Sequence, residues 1–153
     1  MDADTLQALV DQGASDFVIL HHRDPGPGRE DHWDLMFRVE QHLVTFQIAQ
    51  NCLVTSEQEV VFLSHFQATQ LPDHRLAYLE YEGAVSRNRG SVQRLVRGSY
   101  RCHWVKNHPV SHGETVCQVS LKSAQLAGQL HFFAKNSLNG IFNICWTADS
   151  PAN

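Results

Sequence analysis

Hydrophobic positions along this chain recur with two different periods. Leu6, Leu9 and Val10 follow Asp4-Thr-Leu-Gln at helical spacing, with Asp4 as a candidate N-cap, Gln7 three residues on, and Gly13 available for the left-handed residue after the last turn. One short N-terminal helix is predicted. Beyond it the period is two: Trp33, Leu35, Phe37 and Val39 alternate with His32, Asp34, Met36 and Arg38, the pattern of a strand with one face in a core. A turn at Gln41-His42 leads to Val44, Phe46 and Ile48 alternating with Leu43, Thr45 and Gln47, so the two segments predict a hairpin.

Further strands are predicted over 17–21, 60–63, 76–81, 92–96, 99–105, 115–121, 129–134 and 141–146, with Asn139-Gly140 as a hairpin turn before the last. Turns are expected at Pro25-Gly-Pro-Gly28, Asn88-Arg-Gly90, Gly98, Gly113 and Gly128. So many short strands in 153 residues must manage their edges, and closure does this best. The expected fold is all-β with one short helix, a compact antiparallel barrel of about eight to ten strands.

Length and composition narrow the function classes. At 153 residues the chain fits a single domain, 1–153, large enough to bury roughly 70% of its unfolded surface without a disulfide framework. Its longest apolar runs, Phe17 to Leu20 and Val60 to Leu63, are too short to span a bilayer as helices. The start, Met-Asp-Ala-Asp, is acidic where a secretory signal is basic, so a cytoplasmic location and no membrane partner are expected. Cys52, Cys102, Cys117 and Cys145 form no CxxC pair and read as reduced, packed thiols. Ten histidines lean the composition toward a site.

Charge is unevenly placed. Residues 1–60 hold 11 acidic and 3 basic side chains, whereas residues 61–153 hold 5 and 9. Arg87, Arg89, Arg94, Arg97 and Arg101 fall in a stretch, 85–101, that contains no acid. Such a run suits a polyanion, and it equally suits a solvated basic strand pair.

Two clusters carry candidate chemistry. His32 and Asp34 are two apart on a strand and leave it on one side, delivering an imidazole and a carboxylate together. That pair suits Mn²⁺, Fe²⁺ or Zn²⁺, and His21 or His22, across the Pro-Gly turn, can supply a third ligand; the alternative is a surface His-Asp pair. In Asp73-His-Arg-Leu-Ala-Tyr-Leu-Glu-Tyr-Glu-Gly83, His74 and Tyr78 are four apart, two donors suited to phosphate oxygens. A structural histidine and a snorkelling tyrosine would explain them as well.

Taken in order, Phe17-Val-Ile-Leu-His-His22, His32-Trp-Asp-Leu-Met-Phe-Arg-Val-Glu40, the 73–83 segment and Gly90-Ser-Val with Gly98-Ser-Tyr100 resemble the 3′-phosphoesterase module of DNA ligase D, from about residue 15 to 135. The resemblance implies a β-barrel that removes a 3′-terminal ribonucleotide to leave a 3′-phosphate, then the phosphate to leave a 3′-hydroxyl. It implies Mn²⁺ (or Zn²⁺ or another divalent ion) on His22, His32 and Asp34, and 3′-phosphate contacts from His74 and Tyr78. The expected partners are DNA 3′ ends on a primer-template, tracked by Arg87, Arg89, Arg94 and Arg97, and a separate ligase or end-binding repair protein; a monomer is expected.

Three positions depart from the family pattern. Met36 stands where the family strand carries a phosphate-gripping arginine, with Arg38 as a substitute two residues along the same face, and Gln50 and Gln70 stand for basic residues. Losing one charge-assisted donor removes about 1.5 to 3 kcal/mol of phosphate binding. The competing expectations are a catalytically weak or inactive module that holds DNA ends or a partner, and a hydrolase of smaller phosphate esters.

Overall fold

The structure, a computed structural model, describes residues 2–109, 113–134 and 139–150. Helix α1 (Asp2–Gln12) begins two residues before the expected cap at Asp4 and ends as predicted, with Gly13 at φ 76° and its N–H donated to the Leu9 carbonyl. Eleven strands follow: β1 (Ala14–Arg23), β2 (His32–Val39), β3 (His42–Ala49), β4 (Leu53–Thr55), β5 (Val60–Phe62), β6 (His65–Arg75), β7 (Gly83–Ala84), β8 (Ser91–Val105), β9 (Val116–Lys122), β10 (Ala127–Phe133) and β11 (Ile141–Ala148). Hydrogen bonding runs β1-β2-β3-β6-β11-β10-β9-β8 and returns from β8 to β1, so an antiparallel ring of eight strands closes on itself, with β7 added outside β8. The fold is all-β, as expected.

Several local expectations are corrected. Residues 76–81 are not a strand: Leu76–Leu79 is a 3-10 turn whose Leu79 is buried. The strand beside it, β6, went unpredicted because its polar residues and Pro72 mask the alternation of Phe66 and Ala68. Segments 92–96 and 99–105 are one strand, since Gly98 is a contact point and not a turn; a Cβ there would lie 2.2 Å from the Lys122 carbonyl and 2.8 Å from the Phe17 ring. Gly128 likewise lies within β10, against Trp146. The β2–β3 turn is Glu40-Gln41, one residue earlier than expected.

The ring's interior takes the odd-numbered positions of β2 (Trp33, Leu35, Phe37, Val39), together with Phe46, Tyr100, Phe132 and Phe142, and Leu6 and Leu9 of α1 pack into the same core. The even positions of β2 face outward. There a second, smaller cluster forms from Val18, Leu20, Met36, Leu43, Leu79 and Val92, roofed by the 3-10 turn. The candidate chemistry sits beside this outer cluster.

Candidate active site

β1 and β2 pair with His22 opposite His32 and Leu20 opposite Asp34. This register brings three ligand atoms, one each from His22, His32 and Asp34, within 4.8 Å of one another. His22 Nδ1 is 3.4 Å from Asp34 Oδ2, and His32 Nε2 is 3.2 Å from Asp34 Oδ1. The other nitrogen of each ring is held by the backbone: His22 Nε2–H donates to the Arg89 carbonyl (2.7 Å) and His32 Nδ1–H to the Glu30 carbonyl (3.1 Å). Carbonyls only accept, so the ring atoms facing Asp34 are the ones left with a lone pair. His21 is turned away, stacked on Trp33 at 4.2 Å and bonded to Gln50.

These donors fit a divalent cation. His32 Nε2 and Asp34 Oδ1 are buried without a hydrogen-bond partner, and at 3.2 Å they lack hydrogen-bond alignment. Two lone-pair atoms facing each other in a buried site are satisfied by a cation, a proton or a metal ion, between them. Ligands on one ion at bond lengths of about 2.1 Å lie about 3.0 to 3.4 Å apart, close to the two distances observed. Backbone carbonyls that fix the distal ring nitrogens are the usual means of orienting metal-binding histidines. With protons in place of a metal ion on the ring nitrogens facing it, burial pushes the Asp34 carboxyl up, but His22 and His32 outweigh it and hold it below its ordinary value, while the Asp34 carboxylate raises His22 against the opposing effect of burial.

The three residues form one wall of a cleft of about 420 Å³ that His74, Tyr78, Met36, Arg29, Arg75 and Arg89 also line. His74 reaches it through a bulge. Leu71 pairs with Thr45 and His74 with Leu43, so Pro72 and Asp73 together oppose Val44 alone, and Leu71 and His74 end on the same outer face despite their odd spacing. His74 Nδ1–H donates to the Pro72 carbonyl (2.9 Å), leaving Nε2 for a ligand, and its ring meets Tyr78 edge-on at 5.7 Å.

The arginines divide differently from the sequence expectation. Arg89 lines the cleft, while Arg87, Arg94, Arg97 and Arg38 do not. Arg97 pairs with Glu80 at 3.5 Å and Arg94 reaches Glu82 at 4.0 Å, so acids from the 73–83 segment fold over a run that contains none of its own. Arg38 bonds the Glu40 carbonyl, four residues along β2 from Asp34 and hence about 13 Å up the strand. Arg29 and Arg75 were missed, although Arg29 directly follows the Pro-Gly turn and Arg75 adjoins His74. Of the three departures only Met36 lines the cleft; Gln50 bonds His21, and Gln70 accepts a hydrogen bond from Thr5 of α1.

A protein-family model, DNA Ligase D 3′-phosphoesterase domain, matches residues 21–134 of the 153. The chain belongs to this family. No curated protein matches it. The DNA Ligase D 3′-phosphoesterase match begins at His21 and spans all the cleft residues named above, with β2 through β10 inside it.

Proposed function

We propose that the chain is a divalent-metal-dependent phosphoesterase that trims DNA 3′ ends, taking off a terminal ribonucleotide and then a 3′-phosphate to leave a 3′-hydroxyl. The observation that carries this reading is the convergence of His22, His32 and Asp34, with the distal nitrogen of each ring held by a backbone carbonyl, on the wall of a cleft that His74, Tyr78 and three arginines also line. A divalent cation bound there supplies charge stabilisation to a phosphate oxygen and acidifies water. The Tyr78 hydroxyl, and His74 when its Nε2 is protonated, would donate to the transferring group, and that Nε2 proton is the one His74 would pass to the leaving oxygen. Arg29, Arg75 and Arg89 draw the phosphate in and offset its charge. One carboxylate and two imidazoles suit Mn²⁺, Fe²⁺ or Zn²⁺, and Mn²⁺ is the ion that the family resemblance implies.

A second reading, a DNA-end-binding module with little or no turnover, is favoured by Met36, 1% exposed among Leu20, Leu79 and Val92 where the family strand carries an arginine. The two readings separate on primer-templates ending in a 3′-phosphate or a 3′-ribonucleotide. Conversion to a 3′-hydroxyl with Mn²⁺ and not with chelator, lost in His74→Ala, is expected, and Met36→Arg is expected to raise the rate. Its aliphatic stem can follow the methionine's path, at a cost of about 1 to 3 kcal/mol in stability from overpacking. A parent and a folded, metal-binding Met36→Arg variant that are both inert would leave the binding reading standing.

A further inference from the structure

A second groove, of about 280 Å³, opens from the cleft and shares Arg75, Tyr78 and Val85 with it. Its remaining lining is Ala77, Tyr81, Ala84 and Ser86. Tyr81 is 41% exposed, the one aromatic ring among the large hydrophobic side chains exposed in the described residues. It is also fixed: its hydroxyl donates to the Ala84 carbonyl, and its ring stands at 87° to Tyr78 with centroids 5.8 Å apart. His74, Tyr78 and Tyr81 thus form a chain of rings leading out of the cleft, each meeting the next edge-on.

We infer that this groove is a stacking subsite for the nucleobase adjoining the 3′-terminal phosphate, with the Tyr81 ring as its platform. The inference rests on the phosphoesterase reading above and specifies its substrate as an oligonucleotide end, against a small phosphate ester. Two tyrosine rings beside Ala77, Ala84 and Val85 give the groove an aromatic and aliphatic wall, which suits a base face. Arg75 stands where groove and cleft meet, and among the described residues its guanidinium has no acidic partner; Asp73, Glu80 and Glu82 pair instead with His42, Arg97 and Arg94. A backbone phosphate beside the base is accommodated there. Stacking on the Tyr81 ring is itself tolerant of sequence.

The test is binding of short 3′-phosphorylated single strands, followed by fluorescence anisotropy with a 5′ dye, in which the terminal nucleotide either carries its base or is abasic. The parent is expected to prefer the base-bearing strand by about 5- to 100-fold, the range a single stacked base supplies. Tyr81→Ala should abolish that preference by weakening only the base-bearing strand, and Tyr81→Trp should keep it. Equal binding of the two strands by the parent, or an equal loss of both in Tyr81→Ala, overturns the subsite. Turnover of the 3′-phosphate, followed in parallel, separates the claims: hydrolysis without base preference removes the subsite alone, base preference without hydrolysis removes the phosphoesterase reading alone, and neither binding nor hydrolysis removes both.

Discussion

At the scale of single residues, two imidazoles held at their distal nitrogens by backbone carbonyls define the chemistry. His32 and Asp34 could be paired from sequence because a strand's period is two and the inner residues, Trp33 and Leu35, are plainly apolar. His21 and His22 could not be told apart that way, because neighbouring positions differ only in face; the register that sets His22 opposite His32 brings His22, not His21, beside Asp34. The proton balance of the site follows from the same geometry. Asp34 raises His22 above its usual 6.5, and an imidazole must be neutral to ligate. Below that raised value a cation must displace a proton, so metal affinity should weaken as pH falls through the near-neutral range. Calorimetry in buffers of different ionisation enthalpy should show more protons released per ion at pH 6 than at pH 9. Pair by pair, the ion-free fold gains from His22 below about pH 6.5 and loses that gain as pH rises through the elevated value, whereas the contribution of Asp34 is present above about pH 3.8 and is lost as pH falls through its depressed value.

Among the elements, two bulges redirect side chains that a strict alternation would misplace. The Pro72-Asp73 bulge turns His74 into the cleft. In β8 the extra residue Leu95, between Arg94 opposite Leu20 and Val96 opposite Ile19, puts Arg94 and Arg97 on one outer face, where Glu82 and Glu80 meet them. Neither was legible in the sequence, since a bulge leaves no periodic signal and the neutralising acids come from another segment. The arginine-rich run therefore splits by function. Replacing Arg29, Arg75 and Arg89 with Gln should weaken binding of 3′-phosphorylated DNA and flatten the log K against log salt slope by about 0.7 to 0.9 for each phosphate that is no longer neutralised. The same change at Arg94 and Arg97 should leave the slope alone and cost less than about 1 kcal/mol of stability, because those ion pairs are exposed. Equal slopes for the two sets would show that the cleft arginines do not meet phosphate.

Across the whole molecule, the ring is a scaffold and the chemistry lies on its outside. Eight strands bury Phe37, Phe46, Tyr100 and Phe132 within, and the face bearing His22, Asp34 and Met36 is roofed by the segment that carries Tyr78 and Leu79. An all-β fold and antiparallel closure were legible because alternation and turn residues recur along the chain. The pairing that closes the ring, β1 with β8, joins residues far apart in sequence and left no local trace. That pairing matters to the site, because it brings the Arg89-Gly90 turn against β1. A Cβ on Gly90 would lie 1.8 Å from the Arg23 carbonyl, so glycine there permits the approach that lets the Arg89 carbonyl hold His22. Everything proposed for the cleft depends on this scaffold building one divalent-metal site from His22, His32 and Asp34. Calorimetric titration of the folded protein with Mn²⁺ asks that question with no substrate in the way: one ion per chain is predicted for the parent and for His21→Ala, with binding lost in Asp34→Ala and His32→Ala. Undiminished Mn²⁺ binding by a folded Asp34→Ala variant would contradict it.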